Sequence, residues 1–207
     1  VTYAGDTLYS FDLKYTDMAG NQAEDINVDS FYVDVTAPEL SIENVESSQA
    51  YKDELVRPSI VYSDQYFDSV EITLTGAEHG SLNIDGMGGY ASDENGGSFT
   101  FDNIPEDDIY TLSATVVDKA GNQTEQSVEF SVNRDGSTYS LDEETESLNG
   151  SYVASAKNVV IREVNPDELI EHKLTLFKND KTVALTEGSD YSVDVSGGNG
   201  QWYQYVY

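Results

Sequence analysis

The chain has 207 residues, with Lys+Arg 10 against Asp+Glu 39 and a formal net charge of −29. Such an excess of carboxylates repels phosphate backbones and anionic bilayers, which excludes nucleic acid as a partner and disfavours anionic membrane surfaces. With no cysteine there is no disulfide, no thiolate metal site and no cysteine nucleophile, while Tyr 15 and Phe 7, set in alternating runs, supply bulk for a packed core. No apolar run is long enough to span a bilayer, and the first residues lack a signal-peptide pattern, so no membrane insertion is expected. The chain opens within a strand-like run, which reads as an internal piece of a longer polypeptide.

Residues 8–16 alternate, with Leu8, Phe11, Leu13 and Tyr15 expected inward and Lys14 and Thr16 outward. The turn Asp17-Met-Ala-Gly-Asn-Gln22 follows, and then Phe31, Val33 and Val35 alternate with Tyr32 and Asp34. Thr36-Ala37-Pro38 is a short, stiff connector, because Pro38 cannot donate to a ladder and biases Ala37 toward an extended backbone. Seven strands are expected between Glu39 and Val132. They are centred on Leu40–Val45, Ile60–Tyr62, Val70–Thr75, Gly80–Ile84, Gly97–Phe101, Ile109–Val117 and Val128–Val132. The glycine-rich Gly86–Gly89 reads as a flexible turn. Seven short strands without a helical period are what an immunoglobulin-like sandwich looks like in sequence.

The last two of these strands enclose Asp118-Lys-Ala-Gly-Asn-Gln123, a second copy of the first turn placed 101 residues later. In both copies Asp is poised to accept from the backbone two residues on, Gly supplies a positive φ, and Asn tolerates the left-handed region. A period of that length suits one β-sandwich and is too long for a solenoid unit. The expected fold is therefore all-β, a tandem array of immunoglobulin-like β-sandwich domains with antiparallel strands. The first expected unit, 1–37, is the C-terminal hairpin of one repeat, and 38–136 is a complete sandwich. After Asn133-Arg-Asp-Gly-Ser137 the pattern restarts, and 137–207 reads as the first five strands of a further repeat. Tyr139–Leu141 stands for Leu40–Ile42, Leu174–Leu176 for Ile72–Leu74 and Gly200–Tyr207 for Gly97–Phe101, with a helical turn at Pro166–Glu171. Half-sandwiches leave apolar faces and sheet edges bare, so head-to-tail self-association is expected, residues 1–37 of one molecule completing 138–207 of another.

The chemistry of catalysis is not found. His79 and His172 have no acidic or histidine partner at ligand spacing and read as lone surface residues. Runs such as Glu106-Asp-Asp108 and Asp142-Glu-Glu144 read as solvated faces. Gly86–Gly89 lacks the lysine and following helix of a phosphate cradle, and no Gly-x-Ser-x-Gly elbow is present. No catalytic, cofactor-binding or metal residues are assigned, no cofactor is expected, and the chain is not expected to be an enzyme. Calcium at a domain joint is the one ligand weighed, on Asp17, Asp118 and Asp34, against the absence of any EF-hand loop. Trp202, among Tyr203, Tyr205 and Tyr207, could present a sugar platform, but alternation puts at least part of that row in a core.

The Asp-x-Ala-Gly-Asn corner followed by Thr-Ala-Pro resembles the tandem bacterial Ig-like repeats of large surface proteins and adhesins, clearly from Leu8 to about Val132 and more weakly beyond. That resemblance implies a non-catalytic stalk or spacer module, extracellular at a bacterial cell surface. Its implied partners are neighbouring Ig-like repeats and a host or glycan ligand. Some such repeats bind calcium between domains, and some carry Lys–Asn isopeptide crosslinks. Arg134-Asp-Gly-Ser at the second connector departs from the pattern and leaves the stiffness of that joint open. The alternative function is an accessory carbohydrate-binding module of a secreted glycan-active enzyme.

Overall fold

A computed structural model describes residues 2–24 and 26–207, without the side chains of 26–28. Strands β1 (Thr7–Leu13) and β2 (Ile26–Val33) form a hairpin of their own. Nine strands follow: β3 (Glu39–Glu43), β4 (Ala50–Tyr51), β5 (Ser59–Ser63), β6 (Phe67–Gly76), β7 (Gly80–Leu82), β8 (Gly88–Asp93), β9 (Gly96–Phe101), β10 (Asp108–Asp118) and β11 (Gln123–Val132). They make two sheets, ordered β3-β5-β9-β8 and β4-β11-β10-β6-β7. This is the immunoglobulin-like sandwich, antiparallel throughout except where β4 runs parallel to β11.

The core lies between those sheets. Strand β10 buries every second side chain from Asp108 to Asp118, the period-2 signature of a strand with one face inward. Tyr110, Leu112 and Val116 from β10 meet Ile60, Leu74, Phe101, Phe130 and Val132 from both layers, all essentially inaccessible. Each such side chain is worth roughly 1.5–3 kcal/mol when fully buried. The connected cluster of buried apolar residues runs from Leu40 to Val132, so this sandwich has its own core.

Beyond Val132 come β12 (Thr138–Leu141), the short helix α1 (Glu143–Ser147), β13 (Ile161–Asn165), β14 (Thr175–Lys178), β15 (Lys181–Ala184), β16 (Asp194–Ser196) and β17 (Tyr203–Val206). Four of them form a sheet ordered β12-β13-β17-β16, and β14–β15 is a separate hairpin.

Several sequence expectations are corrected. Gly88–Asp93 is an edge strand, and its neighbourhood explains the glycines. A Cβ at Gly88 would lie 2.2 Å from the Thr100 carbonyl, and one at Gly97 would lie 2.3 Å from that of Ala91. Close backbone approach, rather than flexibility, is what these residues provide. Pro166–Glu171 is not helical, because its groups bond elsewhere: the Asp167 carboxylate accepts from Asn133 and the Leu169 amide donates to the Tyr205 hydroxyl. The helix instead starts after Asp142, whose side chain caps the Thr145 amide at 2.8 Å. Leu8, Phe11, Leu13 and Tyr15 are exposed rather than inward, since a two-stranded hairpin has nothing to bury them against.

Candidate metal centre

The two repeated corners are the same object. Asp17 accepts from Ala19 and Asn21 amides at 2.9 and 2.8 Å and from Asn21 Nδ2 at 2.7 Å. Asp118 accepts from Ala120 and Asn122 amides at 2.8 and 2.9 Å and from Asn122 Nδ2 at 2.7 Å. Gly20 and Gly121 hold φ values of 89° and 92°, which only glycine adopts without cost.

Their surroundings differ. Asn122 Nδ2 also donates to the backbone carbonyl of Asp34 at 3.1 Å, in the connector that follows β2. The Thr124 hydroxyl and Gln126 amide of β11 donate to the Pro38 and Leu40 carbonyls. The Lys119 amide donates to the Tyr66 carbonyl, in the loop joining β5 to β6. Corner, connector and loop thus converge at one pole of the sandwich, beside a cleft of ≈ 390 Å³ lined by Asp6, Asp34, Thr36, Asp64, Tyr66 and Asn95. The corner at Asp17 is exposed.

Convergence brings three carboxylates together. Oxygens of Asp34, Asp64 and Asp118 lie within 4.8 Å of one another, and among the described residues none of the three has a cationic partner. Like charges at 4.8 Å repel by about 3 kcal/mol per pair at an effective dielectric near ~20. Asp118 is 2% exposed. Burial opposes its charge, yet the Asn122 side chain and the amides of Asn122, Gly121 and Ala120 outweigh that and hold its carboxyl below the ordinary range. Asp34 Oδ2 is buried and, among the described residues, is the side-chain polar atom left without any hydrogen-bond donor. A buried carboxylate oxygen without a donor, on a residue within reach of two further carboxylates, is an oxygen-rich setting that suits a hard divalent cation. The residues present therefore fit calcium, which would be held by Asp34, Asp64 and Asp118.

The second joint occupies the same place in the strand pattern with different chemistry. Asn133 follows β11 as Asp34 follows β2. Register equates Leu40↔Tyr62 with Tyr139↔Glu163, which places Asn165 where Asp64 stands. The loops agree, since the Tyr66 amide donates to Asp64 Oδ1 and the Asp167 amide to Asn165 Oδ1. Here one amide donates to the other, Asn133 Nδ2 to Asn165 Oδ1 at 2.9 Å and also to Asp167 Oδ2 at 2.7 Å, while Asn165 Nδ2 donates to Ser137 Oγ at 2.9 Å. Arg134 adds a salt bridge to Asp107 and a bond to the Ile104 carbonyl at 2.6 Å. This connector is bonded on both sides.

Of the sequence candidates, Asp34 and Asp118 meet, Asp17 stands apart, and Asp64 was missed. Its signal was the Asx turn ending β5, repeated at Asn165. His79 and His172 are not without acidic partners: His79 Nδ1 lies 2.8 Å from Asp108 Oδ2, and His172 Nε2 lies 3.2 Å from Glu187 Oε2. Trp202 is half-buried at the second joint and donates its indole N–H to Asp108 at 2.6 Å. Tyr205 is buried, with Tyr203 and Tyr207 half-buried beside it, and its hydroxyl accepts from Leu169.

Residues 97–135, from β9 to the second connector and including the Asp118 corner, match the family model of the bacterial Ig-like domain (group 3). Among solved structures, a pair of tandem titin Ig domains is similar with a TM-score of 0.34 and 12% identity, over 82% of this chain and 80% of that one. Comparison with curated proteins finds no match. Residues 97–135 thus carry bacterial Ig-like sequence, and among the described residues no helix is long and apolar enough to cross a membrane.

Proposed function

We propose that this chain is a non-catalytic spacer segment of a bacterial surface or secreted protein, built from successive Ig-like units. In this reading residues 1–37 end one unit, 38–136 form the next and 137–207 begin a third. The observation that carries it is the bonding of the Asp118 corner to the connector after β2, which sets one sandwich against the preceding hairpin in a defined way. A module whose repeated residues serve turns, cores and joints acts by reach and orientation. Extracellular placement accords with the bacterial Ig-like match, and the nearest counterpart to a site is a joint rather than a reactive cleft.

At the first joint we assign calcium the role of neutralising Asp34, Asp64 and Asp118. Without it, three anions repel across the connector; with it, the same oxygens tie connector, loop and corner together. A ligand that binds the folded chain alone stabilises it by about 2.7 kcal/mol at a hundredfold excess over Kd. Thermal melting in calcium chloride and in chelator tests this. The midpoint should rise with calcium in the parent chain and stay put in Asp34→Asn, which should itself melt higher in chelator because one like charge is gone. An unchanged midpoint in the parent chain refutes the assignment.

A further inference from the structure

The two joints share a plan and differ in the groups that meet there. Asn133 stands where Asp34 stands, Asn165 where Asp64 stands, and Arg134 follows Asn133 where Val35 follows Asp34. The equivalence extends to the next contact on each side. Tyr32, two residues before Asp34, meets Tyr66, two residues after Asp64, with ring centres 5.2 Å apart. Ser131, two residues before Asn133, donates its hydroxyl to Asp167, two residues after Asn165.

At the second joint the amide network is complete within the chain. Asn133 Nδ2 uses both hydrogens, on Asn165 Oδ1 and Asp167 Oδ2, and Asn133 Oδ1 accepts from the Gly136 amide at 3.0 Å. Asn165 Oδ1 also accepts from the Asp167 amide, and Asn165 Nδ2 donates to Ser137 Oγ. Asp167, the carboxylate in this network, has a donor on each oxygen, Ser131 on Oδ1 and Asn133 on Oδ2. Nearby, Asp107 is paired with Arg134 and Asp108 accepts from Trp202. Asn165 is 5% exposed, so little water reaches the pair. A buried polar network in which each member is satisfied fixes a single arrangement. It also leaves no free oxygens for a hard cation, which needs several.

We infer that Asn133 and Asn165 make the second joint a latch that closes without any cation, and that the choice of amide or carboxylate at these two places sets whether a joint responds to one. An amide supplies donors that a carboxylate lacks, so Asn133 bridges Asn165 and Asp167 where Asp34 and Asp64 can only face each other. Arg134 supplies from within the chain the positive charge that Val35 cannot. Trp202, just before β17, closes over the same joint by reaching back to Asp108 on β10. Where the calcium assignment holds for the first joint, cation control is confined to that joint. The latch itself stands whether or not calcium binds there, and it holds the strands after β11 in one orientation in calcium and in chelator alike.

Trp202 is the only tryptophan, so its fluorescence reports on the latch alone. In the parent chain its emission maximum and its quenching by acrylamide should be the same in calcium chloride and in chelator. The double variant Asn133→Asp/Asn165→Asp gathers three carboxylates with Asp167 and removes the bridging donor. In chelator its emission should shift to the red and quench more readily, and calcium should return it toward that of the parent. A parent chain whose Trp202 emission moves between calcium and chelator overturns the proposal, and that comparison needs no variant to fold. So does a double variant that keeps the parent emission in chelator, or one with shifted emission on which calcium has no effect. The melting midpoint reports on the first joint and Trp202 on the second, so a midpoint unmoved by calcium refutes the calcium assignment and leaves the latch standing.

Discussion

At the scale of the residue, one asparagine does two jobs in one corner and a single job in the other. Asn21 and Asn122 both close their own turn on an aspartate, but only Asn122 also reaches a neighbouring connector. Replacing each by Ala separates the contributions. Asn122→Ala should destabilise the sandwich by about 1–3 kcal/mol, since the buried Asp118 carboxylate loses its side-chain donor as well as the link to Asp34. Asn21→Ala, in an exposed turn, should leave the main thermal transition nearly unmoved at low protein concentration. Equal losses at both sites would mean that the corner acts only as a local turn. The corner itself was legible from its letters, because Asp, Gly and Asn are each demanded by backbone geometry. Which corner would be buried was not, because that depends on what packs against it.

Among elements, β8 shows where pattern reading fails. Gly88–Asp93 has almost no apolar alternation and a buried-exposed pattern that is nearly all exposed, so periodicity cannot find it. It is a strand because it pairs with β9 from Gly88↔Phe101 to Asp93↔Gly96, and glycines on both sides let the backbones close up. Gly97→Ala should therefore push β8 away and cost about 1–3 kcal/mol as overpacking, even though Gly97 has an ordinary φ. Hydrogen exchange should show lost protection along β8 with β10 and β11 still protected. Unchanged exchange in β8 would contradict the contact. The strands that were legible, β6 and β10 above all, are those whose buried face is apolar and whose ladder is long.

On the scale of the whole molecule, the second joint hinges on Asp108. This carboxylate is fully buried, and burial works against its charge. Hydrogen bonds from the Trp202 indole, the His79 amide and ring, and the Ile109 amide nonetheless hold its pKa below the ordinary value. A carboxyl depressed in the folded state contributes stability above the unfolded pKa, near about 4, and loses it as pH falls through the lower folded value. Trp202 is the only tryptophan, so its emission reports this directly. Acid titration should shift that emission to the red below pH ~4, the range in which such a carboxyl takes up its proton. Asp108→Asn should remove the pH dependence while keeping the emission shifted. An emission maximum steady to the point of global unfolding would show that the bond does not hold the joint.

Local sequence determined what backbone geometry and alternation dictate: the two corners, the long strands of the sandwich and the all-β fold. Those features depend on a residue and its near neighbours along the chain. Tertiary structure alone decided that Asp64 joins Asp34 and Asp118, that Trp202 reaches back to a carboxylate 94 residues earlier, and that Asn133 and Asn165 are hydrogen-bonded where Asp34 and Asp64 face each other as carboxylates. Charge and hydrogen-bond partnership across a joint are set by the distance between side chains in space, which no spacing along the chain encodes.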